Sequence, residues 1–565
     1  MKTMFKPLGL AAAVAAVSAG YAGVANAQLP VPANGATPTP AIGQLGDLGI
    51  IPYYTVESNW VTGVHIINSS AYTQVVKLRL RRASDSADAL DFNLIMSPKD
   101  EWTGFIDDST GDIVFATDDN TCTAPIREDG RFPMPFIFRE GADEGYIEVI
   151  SMGQIGSVTL DGSGNEIGVS SSAMSYAAEH VDGVPRDCTA VASNFFANGS
   201  PTTRGNIDNA NSTQAVADVS LYRNATDSVC TPDATTAPAG TPGVCSNTYE
   251  APDDALKVSY FFRDATAGTE MGNNAVHIAG FAEEPWMTNQ ETGLFSGDVQ
   301  GFDYPDLDGG PVIGAIGTGD YSLRGTYNLL REGDVLGVAR VLNDWSVAAA
   351  RSVSTDWVVT MPGQYTMIDY ATWAAGAGLD FDNCATLNDP NTAGDDSIAA
   401  CDFRDIPVTA ALTLYDREEG EIVPEDGDLV ISPAPPGTRN DLIFPYEVNV
   451  VQWTDGTTDP VLPSSYATTV DPSVLGEFGW ASLAVTSTTA WDQQVCQFVP
   501  DPTGAYNWPA PFNLTPRAAG ICNSATGSVP MVGFVAWQRS FPSNPDANYG
   551  RLVEHSFVSG ATTGP

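Results

Sequence analysis

Residues Val75–Met96 read VVKLRLRRASDSADALDFNLIM, and this stretch decides the fold. The period is two. Val76, Leu78 and Leu80 point one way and Lys77, Arg79 and Arg81 the other, while Leu90, Phe92, Leu94 and Met96 share a second apolar face. Each run is a strand with one buried side. The connector Ala83–Asp88 is polar and short enough for an antiparallel pair. Asp91 then falls on the arginine side, where cross-strand opposite charges contribute a few tenths of a kcal/mol each (~0.2–1). The basic face is expected to point outward.

The same signals recur along the chain. Asp107–Asp112, with Gly111 inside it, joins Thr103–Ile106 to Ile113–Ala116, and Asp161–Glu166 joins Val158–Leu160 to Ile167–Val169. Gly supplies positive φ and Asp and Asn bond to backbone, as hairpin turns require. Further strands are expected at Ala255–Phe262, Val335–Leu342, Asp356–Met361, Val408–Leu414, Trp480–Val485 and Val532–Trp537, and a weak helix at Thr372–Ala377. Trp60, Trp102, Trp345, Trp357 and Trp480 occupy strand-like positions and are expected to fill cores. Short strands separated by turns predict an all-β chain of two β-sandwich-like domains with long disulfide-pinned loops. The expected division is a signal peptide over 1–27, a flexible leader over 28–45, a β-rich domain over 46–363 with an insertion at 182–253, and a second β-rich domain over 364–565 with a loop at 380–405.

Lys2 and Lys6 precede an apolar Leu8–Val17 run too short to span a bilayer, and Ala25-Asn26-Ala27 has the small-x-small form of a cleavage site. Export to the cell surface or medium is expected, with the periplasm as the other destination. The mature chain carries no membrane-spanning segment by this reading. Asp and Glu number 69 against 25 Lys and Arg, a net charge of −44. That field repels nucleic acid and anionic lipid and keeps the protein soluble in salt. Hydrophobic residues are 43% and charged ones 17%, enough apolar material for packed cores.

Eight cysteines, Cys122, Cys188, Cys230, Cys245, Cys384, Cys401, Cys496 and Cys522, suit an oxidising compartment, and none sits in a CxxC arrangement. Pairing of neighbours is expected: Cys122 with Cys188, Cys230 with Cys245, Cys384 with Cys401 and Cys496 with Cys522. GxSxG and HExxH are absent. His65 and His277 lie in strand-like runs and read as structural, without a nucleophile motif nearby, whereas Glu179-His180 and Glu554-His555 read as surface pairs. Among acidic loops, Asp303, Asp306 and Asp308 before Gly309-Gly310 form the best calcium candidate, without EF-hand spacing. Asp380–Asn383 and Glu425–Asp428 are poorer versions.

Three groups of residues carry a resemblance: Pro52–Val56 with Val75–Gly104; Asn343–Trp345 with Ser354–Pro362; and Val529–Phe534 with Ala547–Gly550 and Glu554-His555. Together they resemble a family of uncharacterised secreted or cell-surface proteins of Gram-negative bacteria. The resemblance implies one architecture from near residue 50 to near residue 555 and lends no catalytic residues. The functional expectation is a non-enzymatic cell-surface or matrix protein that self-associates or binds envelope components. The alternatives are a calcium-assisted glycan- or ligand-binding module and an atypical secreted hydrolase. No cofactor beyond calcium is expected.

Overall fold

A computed structural model describes residues 38–134 (apart from 85, 87 and 128), 141–155, 173–193, 249–282, 307, 330, 335–363, 408–418, 421–422, 431–432, 441–486, 498–500, 514–516 and 529–559 (apart from 542). Among the described residues the chain is all-β, with four large sheets and two short helices, Ala173–Ala178 and Cys188–Ser193. Among the described residues every strand pair is antiparallel except Val448–Trp453 with Ala467–Val470. The Val75–Met96 hairpin forms as its pattern requires: Thr73–Arg82 pairs with Asp88–Met96, with Leu78 opposite Phe92 and Arg79 opposite Asp91. The Asp107 turn forms too. Asp107 Oδ1 accepts from Ser109 N (3.0 Å), and Gly111 adopts φ +86°.

Sheets I and II make the N-terminal sandwich. Sheet I is centred on Leu48–Thr55, Glu144–Ile155, Thr73–Arg82 and Asp88–Met96. Sheet II is centred on Leu256–Asp264, Trp60–Asn68 and Glu101–Asp107. Phe92 of sheet I stacks on Phe132 at 4.1 Å and meets Trp102 and Phe115 of sheet II edge-on. Sheets III and IV make the C-terminal sandwich. Sheet III contains Val408–Tyr415, Phe478–Thr486 and Gly337–Ser346, and sheet IV contains Val448–Trp453, Val353–Thr360, Val532–Arg539 and Tyr549–Glu554. Trp345 of sheet III stacks on Trp453 of sheet IV at 6.0 Å, and Trp357 closes the cluster at 5.2 Å from Trp453.

Four expectations change. Gly337–Ser346 and Val353–Thr360 pair with strands that follow residue 408, so the change of sandwich precedes residue 337 rather than falling at 363. Thr39–Pro40 already pairs with Val276–Ala279, inside the expected leader. Trp60, Trp102, Trp345 and Trp357 are buried, but Trp480 is 41% exposed. Lastly, the basic face of Thr73–Arg82 is buried: Lys77 and Arg79 are fully covered, as are their neighbours Asp91 and Glu148. Lys77 Nζ lies 3.2 Å from Asp91 Oδ1, and Arg81 Nε 3.3 Å from Glu148 Oε1. Alternation distinguishes two faces but does not say which one meets water. Here a second layer covers the charged face, and paired geometry offsets the desolvation of each ion. At the Val75 end that layer is the two helices, whose Ala177, Ala178, Val191 and Ala192 pack on Val75, Ile95 and Met152. The Cys122–Cys188 disulfide pins them, as expected for this pair. The other six cysteines, the Asp161–Glu166 hairpin and the Thr372–Ala377 helix lie outside the described residues.

The two sandwiches share one apolar core. Phe534 of sheet IV, fully buried, reaches Phe262 (5.8 Å), Tyr260 (6.1 Å) and Tyr53 (6.5 Å) of the N-terminal half. Polar ties surround it. Glu144 accepts from Tyr53 Oη (2.6 Å) and from Ser465 N across the seam (2.7 Å), and burial pushes its pKa up. Thr360 Oγ1 donates to Pro52 O, Val448 N to Ala83 O and Gly363 N to Tyr146 Oη. Asp356 is fully buried on the same side of sheet IV, and its Oδ2 accepts from Val461 N (2.8 Å) and Leu462 N (2.7 Å).

Phe534→Ala is expected to destabilise the protein by about 3–5 kcal/mol in chemical denaturation, the usual cost of emptying a buried aromatic site. A loss under about 1 kcal/mol would show that the seam does not depend on this ring. Asp356 gives a test with a sign. Burial raises its pKa from 3.8 to about 7, against the two backbone hydrogen bonds that lower it. The stability linked to its neutral form is therefore complete below pH 3.8 and is lost as pH rises through 7. Asp356→Asn is expected to match the parent near pH 3.5 and to exceed it by about 3–4 kcal/mol at pH 9. Equal stabilities at both pH values would remove the buried-carboxylate account.

Candidate functional site

In Phe478–Thr486, FGWASLAVT, Ala481 and Leu483 are buried, so Trp480 and Ser482 share the opposite face. In Val408–Tyr415, Ala410, Leu412 and Leu414 are buried and Tyr415 lies on the opposite face. Register sets Asp344, Trp480 and Tyr415 in one row across three strands of sheet III. Trp480 and Tyr415 stack at 3.8 Å with their planes 6° apart, which leaves a flat aromatic platform open to water. Alternation in FGWASLAVT was the available signal for this face; treating every strand tryptophan as core hid it.

The platform borders a groove of about 970 Å³ built by both C-terminal sheets. Trp345 and Gly479 line it within sheet III. A Cβ on Gly479 would stand 2.5 Å from the Trp345 ring and 2.1 Å from Tyr415 O, so only glycine lets this strand lie so close. Sheet IV contributes Trp537, with the Arg551 guanidinium 5.0 Å above its ring. Tyr549 lies beside Trp537 at 5.6 Å and is 45% exposed. Arg551 Nη2 also lies 3.9 Å from Asp344 Oδ2, which joins the two sheets across the groove. Beyond Trp480, Phe478 carries two guanidinium groups, Arg417 at 4.3 Å and Arg351 at 5.2 Å.

A layer beneath holds Asp344 in place. Its carbonyl accepts from the Trp357 indole (2.7 Å). Trp357 packs 5.1 Å from the His555 ring. His555 bonds Val358 O through Nε2 (2.9 Å), and Nδ1 lies 3.0 Å from the Asn343 amide. These partners assign a neutral ring with the proton on Nε2. Burial lowers its pKa from 6.5 to about 4. His555 is thus a half-buried strut where the chain passes from sheet IV to sheet III, and Glu554 beside it is exposed as expected.

Flat rings bind the apolar C–H faces of a ligand, and the polar rim orients it. Two carboxylates, Asp344 and Asp416, stand in this rim. Glycoside hydrolysis needs one carboxyl kept protonated by an apolar pocket. The Asp344 side chain is 46% exposed beside Arg551, and Asp416 Oδ1 accepts from Glu418 N (2.7 Å) in its own turn.

Elsewhere the structure brings together a serine and a histidine that are distant in sequence. Ser259 Oγ lies 3.5 Å from His65 Nδ1, and His65 Nε2 lies 2.9 Å from Glu101 Oε1. All three belong to adjacent strands of sheet II. Ser259 sits mid-strand, paired with both His65 and Asn274, so nearby backbone donors belong to ladders rather than to an oxyanion site. His277 is buried and accepts from Val258 N at Nε2 (2.8 Å), a structural role as expected. His180 bridges Ser97 (3.2 Å) and Asn120 (3.0 Å) and anchors the His180–Pro185 hairpin. Asp303, Asp306 and Asp308 lie outside the described residues, as do the two poorer acidic loops. Among the described residues no group of three or more His, Cys, Asp or Glu has metal-holding geometry, and no helix is long and apolar enough to cross a membrane. No family model matches the chain, and no curated protein or solved structure matches it.

The strut yields a pH test. Because the pKa of His555 falls on folding, its contribution is present above pH 6.5 and is lost as pH drops towards 4. The ring is only partly shielded from water, which discounts the effect to about 1–2 kcal/mol. His555→Gln is expected to lose less melting temperature than the parent between pH 7 and pH 4. Parallel melting curves for the two proteins would remove this role.

Proposed function

We propose that the protein is an exported, non-enzymatic surface or matrix protein that holds an extracellular carbohydrate in the Trp480–Trp537 groove. One observation carries the reading: Trp480 is 41% exposed although already stacked on Tyr415. A large ring left in water and fixed in orientation loses little entropy when a flat ligand face covers it. The groove has the size of a ligand site, at the upper end of the ~300–1,000 Å³ range. Asp344, Asp416 and Arg551 supply acceptors and donors for sugar hydroxyls.

Export rests on the Lys2–Ala27 signal pattern, and the acidic surface suits a saline medium. The surface or matrix setting is supported by the resemblance carried by Pro52–Val56, Asn343–Trp345 and Glu554-His555. Assistance by calcium rests on the Asp303, Asp306 and Asp308 cluster alone.

Titration calorimetry against a panel of plant, algal and bacterial oligosaccharides tests the reading. At least one is expected to bind, and Trp480→Ala is expected to weaken that binding tenfold or more, as loss of a central aromatic anchor does. The same substitution removes an exposed ring and is expected to change folding stability by only about 1 kcal/mol. Binding that survives Trp480→Ala unchanged would move the site elsewhere.

A further inference from the structure

We infer that the groove selects an acidic saccharide, with Arg417 receiving the carboxylate or sulfate group of a sugar whose ring lies on Trp480. This rests on the carbohydrate reading above and adds the chemical class of the ligand.

The argument is a census of charge around the platform. Arg551 faces Asp344 at 3.9 Å, and Arg351 faces Glu477 at 3.7 Å. Asp416 turns back to accept from Glu418 N. Arg417, by contrast, has no carboxylate partner among the described residues. It is exposed, and its guanidinium rests on the Phe478 ring at 4.3 Å. Stacking on the ring restrains the long side chain while leaving the fork edge of the guanidinium free. That edge matches a carboxylate or a sulfate in two parallel hydrogen bonds. A chain with 69 acids and 25 bases has many exposed carboxylates able to quench such a cation, yet this one is left open beside the aromatic platform.

Long-range repulsion works against an anionic ligand, because the whole chain carries −44. Its reach is limited: at physiological ionic strength charges more than about 8 Å apart are largely screened, whereas a contact pair is not. In saline solution the short Arg417 contact therefore outweighs the distant field. The volume of about 970 Å³ fits an oligomer rather than a single sugar.

Three oligosaccharide series of equal length distinguish the outcomes at 150 mM NaCl: neutral hexose, uronate and sulfate ester. Titration calorimetry is run on the parent protein, Trp480→Ala and Arg417→Gln. The parent is expected to bind one acidic series at least tenfold more tightly than the neutral one, and the stronger of the two names the anion. Arg417→Gln is expected to lose that tenfold preference while holding affinity for the neutral series within twofold. Trp480→Ala is expected to weaken every series that binds. Equal binding of neutral and acidic series by the parent, still lost in Trp480→Ala, overturns the acid preference and leaves the groove reading standing. A uniform loss across all series in Arg417→Gln also overturns it, since the residue then supports the platform only. Failure of all three series to bind the parent overturns both.

Discussion

The strand Val532–Arg539 both packs against the N-terminal half and shapes the groove, because successive side chains of a strand point to opposite faces. Phe534 and Gln538 point to the N-terminal sandwich, where Phe534 meets Tyr53, Tyr260 and Phe262 and Gln538 reaches Thr269 Oγ1 at 3.1 Å. Val535 and Trp537 point the other way, into the C-terminal core and the groove wall. A register slip of one residue would exchange these sets, taking the ring out of the seam and the tryptophan out of the groove. Seam and site are therefore two readings of one alternation.

Polar groups that burial makes reluctant to ionise fasten the seam and the interior of each half. Glu144 bridges Tyr53 and Ser465, and Asp356 holds Val461 and Leu462. Asp47 accepts from Phe281 N (2.9 Å) and Ala282 N (2.6 Å) in the N-terminal sandwich. Burial, with the nearby Asp254 carboxylate as a second cause, pushes its pKa well up. The histidines lean the other way, since burial disfavours their cations: His277 and His555 both fall to about 4. Carboxyls that prefer a proton and imidazoles that refuse one place opposing slopes on stability with pH. The groove rim is different, for its charged groups reach solvent.

The sequence made several local features legible. The Val75–Met96 alternation predicts a pair whose register the structure reproduces, and the Asp107–Asp112 composition predicts the turn. Expected strands at Ala255–Phe262, Val408–Leu414 and Val532–Trp537 all form, because each holds an apolar period of two bounded by turn residues. The site was less legible. Tryptophan was expected inside, which is right for Trp345 and Trp357 and wrong for Trp480, although the buried neighbours Ala481 and Leu483 mark its face as the outer one. The Ser259–His65–Glu101 row was invisible because its members are distant in sequence and meet only through strand pairing.

What the amino-acid order determined by itself is therefore the set of strands, their turns and the two faces of each one, since these depend on local sterics and on a period of two. What each face meets was decided by tertiary structure alone. Lys77, Arg79 and Arg81 look like a solvated edge until a second layer covers them, and Trp480 looks like core until the outer face of sheet III is left open beside the groove. Burial is a property of the surfaces that come together across the chain, and strand periodicity carries no information about those partners.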